Sequence, residues 1–355
     1  MTRLYGNLYN PLNIMFYTRC IKPMSYGIEF VPGNINVKQV VTYTKLAEQK
    51  DMDFAWITNH YNNRHCYPTL AAIAAETETI KMGPGIMNAF TDTPAAMASF
   101  SCTLNEISDG RAVLGIGPGD LSTLPKLSID PAKPVARLKE AVEQIKKLCA
   151  GEEIKKTGGF EFFDYDGAKL TGVTLPGKKQ QIPVYVGAQG PKVLELAGEI
   201  GEGALINASN PKDFDVAIPL IKKGADSVDD KKFKKFDVGA YTAMSIDKDE
   251  KKARNAAKIV AAFIAAGSPE AILTRHGLDL GNVAKIKDAL SRFDFGAVGG
   301  LVGDAEIDAF TLAGTPDILR QKCEDLTRAG VTQIIFGSPL GPDTINSIRL
   351  LGKIM

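Results

Sequence analysis

The chemical content of this chain sits at the ends of its apolar segments, and one carboxylate stands out among them. The run Ser25-Tyr26-Gly27-Ile28-Glu29-Phe30 reads as a strand. Period two puts Tyr26, Ile28 and Phe30 on one face and Gly27 and Glu29 on the other, which predicts that Glu29 points inward. An inward carboxylate is costly to bury without partners. In an apolar mouth its pKa rises, and it becomes an acid protonated near neutral pH, fit for general acid catalysis. The competing reading is a glutamate paired with a lysine or arginine as a structural plug. The other segment ends are Asn59-His60-Tyr61-Asn62-Asn63, Gly85-Ile86-Met87-Asn88, Gly119-Asp120, Gly187-Ala188-Gln189-Gly190, Asn207-Ala208-Ser209-Asn210 and Gly337-Ser338-Pro339. Small and amide residues dominate them, a composition suited to a large planar ligand held by backbone and amide contacts. Turn geometry alone would account for any one of these clusters, and less well for all of them together.

Familiar motifs do not supply a function. In Gly115-Ile116-Gly117-Pro118-Gly119-Asp120, Asp120 stands where the dinucleotide fingerprint needs glycine. The run 172–179 resembles a phosphate loop until Lys179 takes the Ser/Thr position. His60, His65 and Cys66 lack a metal-ligand spacing, and Cys20, Cys66, Cys102, Cys149 and Cys323 form no C-x-x-C pair. Neither a metal site nor a disulfide framework is expected, and a reducing cytoplasm is. With 42 basic and 41 acidic residues the chain lacks the positive excess of a nucleic-acid coat, and no apolar run approaches the length of a membrane span.

The elements that must position these residues alternate. Strand patterns fall at 25–32, 54–61, 80–88, 112–120, 182–189, 204–207, 237–246 and 332–339, with helical patterns between them. Eight β–α units with near-continuous apolar strands predict an α/β fold, a (β/α)8 TIM barrel whose strand C-termini form the active-site mouth. Two excursions exceed plain connections. One is the Gly-, Lys- and aromatic-rich 151–181, the other is 269–310, and both are expected to shape a pocket. Residues 1–23 hold three basic residues and no acid, and lack the h-region of a signal peptide. They are expected to be an appendage, with one barrel domain over 24–355.

The runs 27–32 (GIEFVP), 55–63 (AWITNHYNN), 83–88 (GPGIMN), 110–120 (GRAVLGIGPGD), 183–191 (PVYVGAQGP), 203–214 (GALINASNPKDF), 256–269 and 337–343 resemble the methylenetetrahydromethanopterin reductases of methanogenic archaea, which belong to the bacterial luciferase-like barrels. The resemblance spans 24–355. It implies reversible hydride transfer from reduced coenzyme F420, a dissociable co-substrate, to 5,10-methylenetetrahydromethanopterin or its sarcinapterin counterpart, with neither flavin nor metal, in a homo-oligomer (dimer or tetramer). It implies a non-prolyl cis peptide at Gly85-Ile86 backing the deazaflavin ring, and cofactor contacts from Asn59 and His60. Asn59 stands where the family usually has aspartate. The turn Gly187-Ala188-Gln189-Gly190, opening a helix at Pro191, is expected to hold the F420 phosphodiester on free backbone N–H groups. Asp120, Asn207 and Ser209 are expected to meet the pterin, and Glu29 to protonate the leaving ring nitrogen. The same fold hosts F420-dependent alcohol dehydrogenases, FMN-dependent monooxygenases and non-catalytic flavin binders, so fold alone leaves those readings open.

Overall fold

The computed structural model describes residues 24–33, 35–119, 123–173, 180–229 and 232–355. In chain order the elements are β1 (Ser25–Phe30), α1 (Val37–Glu48), β2 (Phe54–Ile57), α2 (Cys66–Glu76), β3 (Lys81–Pro84), β4 (Met87–Asn88), α3 (Pro94–Ile107), β5 (Leu114–Gly117), α4 (Pro134–Cys149), β6 (Val184–Gly187), α5 (Pro191–Ile200) and β7 (Gly203–Ile206). They continue with α6 (Pro211–Asp226), β8 (Asp237–Ile246), α7 (Glu250–Gly267), α8 (Glu270–Arg275), α9 (Leu280–Ser291), α10 (Phe295–Leu301), α11 (Asp304–Phe310), β9 (Thr311–Gly314), α12 (Pro316–Arg328), β10 (Gln333–Leu340) and α13 (Thr344–Leu351).

The strands pair in parallel in the order β3-β2-β1-β10-β8-β7-β6-β5-β4. A bridge from Met82 to Ala112 brings β3 against the start of β5, so β3 and β4 are two halves of one wall and the ring closes. This is the expected (β/α)8 barrel. The parity expected for β1 holds. Ile28 and Phe30 join the large core between strands and helices. A Cβ on Gly27 would instead meet Ile335 and Phe54, members of a separate interior cluster with Trp56, Val113, Tyr185 and Leu205. Barrel strands buried on both faces form two apolar layers, which is why their sequences run apolar almost without interruption.

The expected strand set is incomplete. The four residues of β9 form a further strand outside the ring, pairing with the upper half of β8 through Ala243–Ile246. Thr-Leu-Ala-Gly is too short and too rich in small residues to show a strand period. The excursion before it is helical, as α8 to α11, and packs on α7 through Ala257, Ala261, Ile286, Val298 and Ile307. The other excursion is clamped to α4. The Glu140 carboxylate accepts from the backbone N–H groups of Glu161, Phe162 and Phe163, and Arg137 lies over the rings of Phe90, Phe162 and Phe163 while its Nε donates to the Ala89 carbonyl. The first excursion leaves the C-terminus of α4 and leads into the start of β6, and the second leaves the C-terminus of α7 and leads into the start of β9, so both are helix-to-strand connections. The expected appendage at 1–23 lies outside the described residues.

Candidate active site

Glu29 is the next-to-last residue of β1 and only 3% exposed. Its Oε2 accepts a 2.8 Å hydrogen bond from the Ser338 backbone N–H. A Cβ on Gly337 would stand 2.9 Å from that oxygen, so glycine is what lets β10 close over the carboxyl. Burial pushes its pKa up to about 7, and the Ser338 N–H and hydroxyl pull the other way without cancelling it. Among the described residues no lysine or arginine reaches Glu29, which removes the structural ion-pair reading.

Another wall of the mouth, two strands from β1, is built from the Gly85-Ile86 peptide between β3 and β4, which is cis, as the family resemblance implies. Ile86 projects inward onto strand backbones that carry no side chains. Cβ atoms at Gly115, Gly117 and Gly187 would stand 3.2, 2.4 and 2.7 Å from its side chain. Gly187 is therefore fixed by Ile86 rather than by an open cradle. Gly190 differs, since a Cβ there would meet nothing within 4 Å. It caps α5 without any side-chain hydrogen bond, and Pro191 occupies the first turn as expected. Ala188 is buried, while Gln189 is exposed and its Nε2 donates to the Asn207 carbonyl at 3.3 Å, tying the ends of β6 and β7. Asn207 is exposed and Ser209 buried.

Asn59 is half-buried beyond the end of β2, with its Nδ2 donating to Met87 Sδ at 3.5 Å, and His60 beside it is exposed. Asp120 lies outside the described residues. The other site residues expected from sequence follow the C-terminal ends of their strands, at one end of the barrel, where side chains from different strands converge on a mouth. Two further residues take part, Ser338 from a strand-end cluster given no role from sequence, and Tyr241, which sequence reasoning does not single out. Ser338 supplies the donor to Glu29. Tyr241 on β8 reaches across to the Gly85 carbonyl, to which its hydroxyl donates at 3.1 Å. Period two along β8 would have found it, since Asp237, Gly239 and Tyr241 share the inward face. Among the described residues no group of three His, Cys, Asp or Glu is arranged to hold a metal ion, and no helix is long and apolar enough to cross a membrane.

A model of the luciferase-like monooxygenase family matches residues 15–333. The chain is 49% identical over 334 residues to the 5,10-methylenetetrahydromethanopterin reductase of Archaeoglobus fulgidus, covering 93% of this chain and 98% of that protein. It is 46% identical to the enzyme of the same name from Methanolobus tindarius, covering 93% and 99%. Among solved structures it resembles the coenzyme F420 dependent tetrahydromethanopterin reductase from Methanopyrus kandleri, with a TM-score of 0.85, 40% identity, and 94% and 98% of the two chains covered.

Proposed function

The chain belongs to the luciferase-like monooxygenase family and within it to the 5,10-methylenetetrahydromethanopterin reductases, and from that premise we propose that it reduces 5,10-methylenetetrahydromethanopterin to the 5-methyl compound with reduced coenzyme F420. The observation that carries this reading is Glu29, a buried carboxyl at the barrel mouth with no cationic partner among the described residues and a pKa raised to about 7. Relatives of 41–49% identity over almost their whole lengths bear the reductase name, which sets the alcohol dehydrogenase and flavin monooxygenase readings behind it.

Coenzyme F420, when bound, supplies the hydride. The residues present fit such a co-substrate, because the open side of Gly190 and the uncapped start of α5 offer backbone N–H groups to an anionic tail, with room for close approach. The chain itself supplies the proton. Protonated Glu29 donates to the ring nitrogen that leaves as the imidazolidine opens. The C–N bond breaks, the nitrogen keeps the pair and takes the proton, and the methylene carbon is left electrophilic toward hydride. In the reverse direction ionised Glu29 takes that proton back. Gly85 and Ile86 wall the mouth opposite β8, and Asn59 and His60 line its rim. Asp120, Asn207 and Ser209 are assigned to the pterin.

The test follows F420H2 oxidation by absorbance with methylenetetrahydromethanopterin or its sarcinapterin counterpart as acceptor. Turnover with the pterin and none in the reverse assay with a secondary alcohol is the expected result, and the opposite pattern reassigns the chain to alcohol chemistry. For the anion site the informative substitution is Gly190→Asp rather than a change at buried Ala188. An acid there meets open space in the fold and is expected to weaken F420 binding at least tenfold with the melting temperature unchanged.

A further inference from the structure

The strand order places β8 four strands from β3 in one direction and four strands from β4 in the other, so Tyr241 starts from the wall diametrically opposite Gly85. Its hydroxyl nevertheless reaches the Gly85 carbonyl. The fit is close enough that a Cβ on Gly85 would come within 2.6 Å of the Tyr241 oxygen and 3.1 Å of the Trp56 Cβ. The Tyr241 ring packs, half-buried, on the interior cluster of Phe54, Trp56, Val113, Tyr185, Leu205 and Ile335. Its lower face belongs to that dry interior and its remaining surface to the mouth. Among the described residues Glu29 is the one ionisable group whose charge bears on Tyr241, and Ser338 is the group that hydrogen-bonds Glu29.

We propose that Tyr241 is a positioning residue for this reaction, a strut across the barrel that fixes the Gly85 carbonyl, and with it the wall on which the deazaflavin rests, and that keeps water beneath Glu29 out of the mouth floor. The proposal rests on the reductase reading above. The hydroxyl spans the interior to hold the peptide between β3 and β4. The glycine at 85 is the complementary adaptation, because any side chain there would displace the hydroxyl.

Two variants test it. Tyr241→Phe keeps the ring and removes the donor. It is expected to raise the Kd for F420, read by quenching of its fluorescence without turnover, by about tenfold, the scale of one buried hydrogen bond. It should leave the pH midpoint of kcat where the wild type has it. Tyr241→Ala removes the floor as well, and is expected to move that midpoint down by a pH unit or more as water reaches Glu29. If both variants only lower the melting temperature, with F420 affinity and pH midpoint intact, Tyr241 is structural and the proposal is wrong. Failure of the underlying reading looks different, because the wild type would then not oxidise F420H2 with the pterin, whatever Tyr241 does.

Discussion

Two carboxylates at opposite ends of the barrel titrate in opposite directions. Glu48, at the end of α1 on the strand N-terminal side, is also pushed up by burial. Its Oε1, however, accepts from the backbone N–H groups of Glu78, Thr79 and Ile80 and from the Thr79 hydroxyl, and these bonds hold its pKa below the ordinary value. Glu29, on the C-terminal side, has Ser338 and little else, and burial wins. The same contrast runs through both ends. On the N-terminal side Arg111 donates to the Ala74, Thr77, Ile80 and Ser108 carbonyls and the Thr77 hydroxyl. Asp237 accepts from the Tyr185 and Thr332 hydroxyls. At one end hydrogen bonds fix the charges of Glu48, Arg111 and Asp237. The other leaves an acid under-solvated, a state that costs stability and suits proton transfer.

The sharpest way to break this comparison is Glu29→Gln. An amide keeps the shape and the Ser338 bond but has no acidic proton. Turnover is expected to fall at least about 10²-fold, with F420 affinity retained. Near-normal turnover would mean that the proton comes from elsewhere and that the mouth carboxyl has no catalytic part. The matching change at the other end is Arg111→Ala. It strands five acceptors at once, and a loss of about 4 kcal/mol is expected, read as a lower denaturant midpoint at unchanged slope. The kcat of the folded fraction should not move. A drop in kcat would show that the two ends are coupled.

The barrel and its mouth were legible in the sequence because they rest on period. Alternation along β1 assigned Glu29 to the interior, and the run of strand-end glycines and amides marked the end of the barrel where the strand C-termini converge. What escaped lacked a period or acted over distance. β9 is four small residues whose strand character comes from β8 beside it. The reason for glycine at 117 and 187 is the Ile86 side chain, and at 115 the Pro84 carbonyl, both distant in sequence, and no local pattern reports that. Ser338 meets Glu29 from 309 residues away along the chain. The raised pKa of Glu29 is a product of such closure, so the sequence predicts a candidate acid while its environment belongs to the tertiary fold.

A smaller effect sharpens the electrostatic half of the comparison. Glu29 has a folded pKa of about 7 against an ordinary 4.5. Between those values the folded state binds more protons than the unfolded one, so this residue lowers stability as pH rises through the window, by up to about 3 kcal/mol above pH 7. Glu29→Gln cannot ionise. It should match the wild type in denaturant stability near pH 4 and exceed it at pH 8, a gain for the variant that is otherwise inactive. Equal stability at both pH values would place Glu29 in water-like surroundings.

Glu48 should show the reverse dependence at a smaller scale, because it is largely solvated and its bonds compete with water. Its folded pKa is lowered, so its stabilising contribution is complete above the ordinary carboxylate pKa and is lost as pH falls through the folded value. Glu48→Gln replaces a charged acceptor of four hydrogen bonds with a neutral one. The variant is expected to be modestly less stable than the wild type at pH 7, and the gap should close on acidification toward pH 3. The gain of Glu29→Gln over wild type would meanwhile shrink as pH falls from 7 and vanish near pH 4, staying flat below. Two glutamate-to-glutamine changes in one barrel would thus have opposite signs at neutral pH and converge in acid, because hydrogen bonds dominate at one carboxylate and desolvation at the other. A gap for Glu48→Gln that persisted unchanged at pH 3 would mean that the bonds depend on the shape of the acceptor and not on its charge, and the contrast between the two ends would then be one of packing alone.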